Sequence, residues 1–276
     1  MIDIPTQSIE VTCPSGLRGV VRKLTGKEAA ILADRSLSRQ GTLVDEILRR
    51  VWISTVEAEP YPFKVEQPIP WSKVLIGDRD FVFLQTRIVT HGVEYSFKIR
   101  CDDCGDSFSW DIDLSKLPVQ SLEGENLERF KDGNVFEGVL PSGRGFKFRL
   151  ARGEDAARVL RSMREQRKGR RDKHGERMKP NPLIESVLMR LIEIEDVGNK
   201  PSDRREFIES MGLDEIASTL DEMDRVDCGV NMTIAVCCPS CENEFDVNLP
   251  FDENFLLPRV RRKSVGSTET ETATTD

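Results

Sequence analysis

Two stretches far apart in the chain match each other without a gap. One runs from His91 to Phe108 and the other from Cys228 to Phe245. Each reads Gly-Val, then an alternating segment, then C-x-x-C, then a phenylalanine four residues beyond the second cysteine. A structural zinc takes a tetrahedron of protein ligands, and four thiolates are a common set. One C-x-x-C turn supplies two, so two turns complete a site with no open position for water. The spacing therefore predicts one structural zinc held by Cys101, Cys104, Cys238 and Cys241.

The flanks argue for a strand-knuckle-strand hairpin at each site. Val93, Tyr95, Phe97 and Ile99 share one face of the first approach, and Val230, Met232, Ile234 and Val236 share the same face of the second. Alternation resumes after each motif, at Phe108, Trp110, Ile112 and Leu114 and at Phe245, Val247 and Leu249. Redox C-x-x-C pairs usually open a helix instead. Four unrelated free cysteines would not carry matched flanks, and disulfides stand as the alternative to metal. Cys237 aligns with Arg100 and is read as a neighbour of the site, not a ligand.

The rest of the chain also reads twice. Ile9 to Leu24 is a strand, a turn at Pro14-Ser-Gly16 and a returning strand. Thr25-Gly-Lys-Glu28 has capping-box spacing and predicts a helix from Glu28 to about Arg35. Leu43, Ile47, Leu48 and Val51 predict another over Thr42 to Ile53. A Pro-rich arm over 57–70 ends at Trp71, and Gly77-Asp-Arg-Asp80 opens a third helix with Asp78 as its cap. After a polar stretch the order restarts. Phe136 to Leu150 repeats the Pro-Ser-Gly hairpin, Gly153-Glu-Asp155 stands for Gly26-Lys-Glu28, Leu183 to Ile192 for Leu43 to Trp52, and Ser202 to Phe207 for the Gly77 helix.

The expected fold is α+β: an internally duplicated unit of β-hairpin, helices and zinc knuckle, its halves joined by one four-cysteine, zinc-ribbon-like site. Residues 1–120 form the first unit with knuckle 101–104, and 121–135 a linker. Residues 136–257 form the second unit, with knuckle 238–241 and a basic insertion over 158–179, and 258–276 a flexible tail. Neither half completes the metal site alone, which couples metal binding to docking of the halves. Met211 to Met223 reads as an added amphipathic helix.

Chemistry is conspicuous by what is missing. The sequence holds no P-loop, no Rossmann glycine fingerprint and no G-x-S-x-G. Its two histidines, His91 and His174, have no evident nucleophile or carboxylate partner in sequence. Four cysteines leave the metal no reactive position, so the chain is read as a non-enzyme. The N-terminus has no charged region leading into an apolar one, and no apolar run approaches a membrane span. Seven cysteines, an odd number with four in metal spacing, suit a reducing cytoplasm. A net charge of −8 argues against a general nucleic-acid coat. The basic run over 158–179 is either a nucleic-acid or acidic-partner patch or a solvated, partly disordered loop.

Pro14-Ser-Gly16, Leu24-Thr-Gly26, the Thr42 to Trp52 helix, Gly77-Asp-Arg79 and Glu94-Tyr95 leading into Cys101-x-x-Cys104, continued by Leu140-Pro-Ser-Gly143 and Phe148-Arg-Leu150, form an ordered series. In that series the chain resembles the baseplate protein family of T-even-like contractile-tailed bacteriophages, from about residue 9 to 250. The resemblance implies a structural subunit of a contractile tail baseplate, present in several copies in the virion, made in the host cytoplasm and bound to other tail proteins. It also admits a baseplate hub assembly chaperone absent from the finished particle. It supplies no catalytic residues. A zinc-ribbon nucleic-acid binder using 158–179 is the reading from another class, disfavoured by the acidic total.

Overall fold

The computed structural model describes residues 7–169, 181–250 and 253–257. Strands Ser8–Thr12 (β1) and Arg18–Arg22 (β2) pair antiparallel around the Pro14-Ser-Gly16 turn. Gly16 sits at φ 109, backbone that side-chain-bearing residues avoid. Val11, Leu17 and Val21 are buried beneath the hairpin. Helices Gly26–Leu32 (α1), Arg35–Gln40 (α2) and Leu43–Val51 (α3) follow. The expected capping box is formed: Thr25 accepts from the Lys27 amide, and the Glu28 carboxylate accepts from the Thr25 amide at 2.8 Å.

The helix expected from Thr42 to Ile53 stops at Val51. Trp52–Glu57 (β3) then adds a third strand beside β2. Its isoleucine, threonine and valine stiffen the backbone toward extended conformations. The Trp52 ring also meets Trp71 edge-on at 5.3 Å. Trp71 is buried and pins the end of the Pro-rich arm to the core.

Ile76–His91 (α4) is the long central helix, packed against β1, β2, α3 and elements of the second half. Asp78 is not its cap, as the sequence suggested. The cap position is Leu75, without a side-chain bond, and Asp78 points into the core. There it accepts from the Ser15 amide at 2.9 Å, from the Ser15 hydroxyl and from the Tyr61 hydroxyl at 2.6 Å. A buried carboxylate needs such donors, and here they lock the first turn and the Pro-rich arm to one helix.

Strands Glu94–Arg100 (β4) and Ser107–Asp113 (β5) make the first knuckle hairpin. Val119–Gln120 (β6) follows. Within 121–135, expected as a linker, the chain forms helix Gly124–Lys131 (α5), with Leu122 and Phe130 buried.

Phe136–Val139 (β7), Gly145–Phe148 (β8) and Leu191–Ile194 (β9) build a second three-stranded sheet, ordered like β1-β2-β3. Helix Gly153–Gly169 (α6) carries the beginning of the basic run. Residues 170–180, with His174 and the rest of that run, lie outside the described residues, as does the tail over 258–276. Helices Pro182–Arg190 (α7), Pro201–Ser210 (α8) and Leu213–Asp224 (α9) precede Gly229–Val230 (β10). Thr233–Cys237 (β11) and Glu244–Asn248 (β12) form the second knuckle hairpin.

Several details recur at matching places. In both sheets a helix runs directly into the third strand, and the register slips at its start, between Val20 and Val21 and between Lys147 and Phe148. Buried Glu28 pairs with Arg22 at 2.9 Å, and buried Asp155 pairs with Arg149 at 2.6 Å. The Asp155 carboxylate accepts from the Arg152 amide as Glu28 accepts from Thr25. The helix before each third strand offers an acid, Asp45 or Glu185, to an arginine of a later helix, Arg79 or Arg205.

The halves are packed closely together. β10 pairs with β6, and the Asn231 amide donates to the Pro118 carbonyl at 2.8 Å. The Ile76 amide donates to the Ala151 carbonyl at 3.0 Å, and the Gly153 amide to the Val74 carbonyl at 3.0 Å. Gly77 lies so close to Cys228 that a Cβ there would stand 1.8 Å from its carbonyl oxygen.

Candidate metal centre

Each knuckle is a strand end turned back on itself. The Cys101 amide donates to the Asp106 carbonyl at 2.8 Å, and the Gly105 amide to the Cys101 carbonyl at 3.0 Å. The second knuckle repeats both bonds, Cys238 to Asn243 and Glu242 to Cys238, each at 2.9 Å. Gly105 at φ 76 and Glu242 at φ 58 occupy the same left-handed corner. The turn aims both sulfurs of a C-x-x-C to one side, as the shared spacing demanded.

The two turns meet. The sulfurs of Cys101, Cys104, Cys238 and Cys241 all lie within 4.8 Å of one another. Cys101 faces Cys241 at 3.7 Å, and Cys104 faces Cys238 at 3.7 Å. Four sulfurs bound tetrahedrally to a single zinc at its usual bond length stand about 3.8 Å apart. None of the seven cysteines is disulfide-bonded here; the facing sulfurs stand 3.7 Å apart, well beyond an S–S bond of about 2.05 Å. Cys237 lies outside the group of four, with its sulfur 3.7 Å from the Glu242 carbonyl.

Electrostatics fit a cation at the centre. Cys101 is pulled down to about 7, first by the Cys104 amide and then, against burial, by the Asp103 amide. Cys241 is pushed up to about 12: the Asn243 amide draws it down, but burial and the sulfurs of Cys104, Cys238 and Cys101 outweigh it. One thiolate thus resists the next, and a divalent ion removes that resistance.

The surroundings hold the pair of turns in place. Tyr95, Phe97 and Ile99 on β4 and Val236 on β11 are buried, while Phe108, Trp110, Phe245 and Val247 pack partly against them. Val93, expected on the inner face, is exposed at the entrance to β4. The Ser240 hydroxyl donates to the Asp106 carboxylate, tying one knuckle to the other outside the sulfurs. Sequence reasoning missed this link because neither residue is a ligand type. The one available signal was that Asp106 stands where the second knuckle has Asn243.

The remaining candidates have structural partners. His91 Nε2 lies 3.0 Å from the Leu256 carbonyl. On the described part of the basic run, Arg158 pairs with Asp155 at 3.1 Å and Arg164 donates to the Ser38 carbonyl at 3.4 Å. No helix among the described residues is long and apolar enough to cross a membrane.

A family model described as T4 bacteriophage base plate protein matches residues 6–257. No curated protein matches the chain. No solved structure matches it either.

Proposed function

This chain belongs to the T4 bacteriophage base plate protein family, and we propose that it serves as a structural subunit of a contractile tail baseplate, bound to neighbouring tail proteins in several copies per virion. The family match carries the reading, because it spans both halves and both knuckles. No catalytic step is assigned. The work of the molecule is to present a rigid, doubly built surface.

The finer part of the proposal is a metal staple. Cys101, Cys104, Cys238 and Cys241 hold one structural zinc, and that zinc ties two copies of an ancestral unit. The sulfur spacing supports the first statement. The recurrent sheets, slips and capped ion pairs support the second. A shared ion suits a part that must transmit load, because parting the halves at this point breaks metal-thiolate bonds.

Quantitative mass spectrometry of purified, DNA-filled particles tests the role. The proposal expects peptides of this chain at a fixed ratio to other tail proteins. Abundance in the infected-cell lysate with absence from particles would make it an assembly factor instead.

A further inference from the structure

The second sheet carries a groove at the place where the first sheet sets an arginine between two acids. It has a volume of about 440 Å³ and runs over β7, β8 and β9 beside Glu222. The strand registers give the comparison. In the first sheet Glu10 is paired with Val20, Thr12 with Arg18, and Arg18 with Glu57 across the strands. In the second, Glu137 is paired with Lys147 and Val139 with Gly145. The Glu195 amide donates to the Gly145 carbonyl at 3.0 Å, which puts Glu195 across from Gly145 as Glu57 stands across from Arg18. Position by position, Glu137 replaces Glu10, Glu195 replaces Glu57, and Gly145 replaces Arg18.

In the first sheet the arginine fills the space between its acids. Arg18 reaches Glu10 at 2.9 Å and Glu57 at 3.3 Å. In the second both acids remain and the arginine is gone. A second glycine, Gly138, stands where the first sheet has Val11, so the Phe146 ring lies directly beneath the backbone. The groove holds four carboxylates, Glu137, Glu193, Glu195 and Glu222, against one ammonium, Lys147. Lys147 is engaged by Glu193 at 3.3 Å, and Glu222 by Arg225 at 2.6 Å. Glu137 has no ion pair among the described residues, and Glu195 accepts only the Gly145 amide at 2.8 Å.

We propose that this groove is a docking slot for an arginine side chain carried by a neighbouring protein of the baseplate, held between Glu137 and Glu195 as Arg18 is held between Glu10 and Glu57. The inference rests on the duplicated-unit reading and deepens the structural role by naming one contact. Arginine is favoured over lysine because its planar fork bonds two carboxylates at once. A glycine at 145 serves the slot by leaving room for a guest where the first unit supplies its own residue.

The test is an NMR titration of the labelled full-length protein with N-acetyl-arginine amide, with the lysine and citrulline counterparts as controls. The expected result is saturable shifts at Glu137, Gly145 and Glu195, strongest for arginine and absent for citrulline. A Glu137→Gln/Glu195→Gln double variant should bind about tenfold or more weakly, the weight of one charge-assisted hydrogen bond. Gly145→Arg should fill the slot from within. A Cβ there stands 2.8 Å from the flexible Glu195 carboxylate, which can swing aside. That variant should lose the response to the probe and melt at a higher temperature.

No saturable shift, with Gly145→Arg still raising the melting temperature, would sink the docking slot and leave the duplicated unit standing. A full probe response in Gly145→Arg would overturn the position-by-position correspondence and the slot with it. If Arg259→Ala/Arg261→Ala/Arg262→Ala shifts the same amides without any probe, the occupant is this chain's own C-terminal segment and the neighbouring-protein assignment falls.

Discussion

At the scale of single residues, the four sulfurs make separable claims. Serine at Cys101, Cys104, Cys238 or Cys241 should each abolish stoichiometric zinc and lower the melting temperature by about 10 °C or more, several kcal/mol in a chain of this size. Cys237→Ser should keep a full metal equivalent, because its sulfur lies outside the cluster. Metal analysis of the five purified variants decides both. A second residue-scale expectation concerns Arg79, buried against Asp45 with its Nε otherwise unsatisfied. Asp45→Ala leaves that guanidinium without its counter-ion and should cost about 3–5 kcal/mol in urea unfolding. A loss below about 1 kcal/mol would mean that the arginine finds another partner. The meeting of the four sulfurs was legible in the sequence because metal geometry fixes residue type and spacing together. Asp78 was not: nothing local distinguishes a helix-capping aspartate from one whose donors, Ser15 and Tyr61, come from distant turns.

At the scale of elements, legibility followed the range of the forces. The α1 capping box was readable because its bonds span three residues. Strand β3 was missed because its first residues continue the apolar stripe of α3, and only pairing with β2 and the Trp52–Trp71 contact turns them extended. Helix α5 was missed because one buried face, centred on Phe130, is too little for a periodic signal in a charged stretch. The meeting of α4 with β10 gives a prediction at this scale. Gly77→Ala drives a methyl into the Cys228 carbonyl and should cost about 1–3 kcal/mol or more by overpacking. Gly26→Ala, at a helix start with open space around it, should cost nothing measurable. Equal effects of the two in chemical denaturation would place the close approach of the halves elsewhere.

At the scale of the whole molecule, the junction of the halves gathers acids. Burial raises Asp80 to about 7, with Arg79 opposing and Asp227 adding. Burial likewise raises Asp227 to about 6, with Arg190 and the Cys228 amide opposing and Asp224 and Asp78 adding. A carboxyl whose pKa is raised on folding stays protonated in the native state while the unfolded chain has lost its proton. These two therefore withdraw stability as pH rises from about 4 to about 7. Glu28 acts in the opposite sense: burial raises it, but the Arg22 side chain and the Thr25 amide and hydroxyl hold it down at about 2. Its contribution is present above about pH 4.5 and is lost as pH falls toward 2. Asp80→Asn should accordingly gain stability at pH 8 and none at pH 4, while Glu28→Gln should lose most at neutral pH and converge with the parent in acid. Melting curves across that range check both, and a uniform offset in either variant would refute the assignment.

The order of hairpins and knuckles was legible along the chain because hairpin turns, capping boxes and C-x-x-C pairs are short-range signals. How closely the halves lock through β6 with β10 was not, since two residues of strand carry no periodicity of their own. The claim that one ion joins these halves is tested most directly by native mass spectrometry of the intact protein. A monomer carrying a single zinc, with the mass deficit of displaced thiol protons, is the predicted result. A metal-free monomer, or zinc found only in dimers where knuckles of different chains share it, would contradict the account.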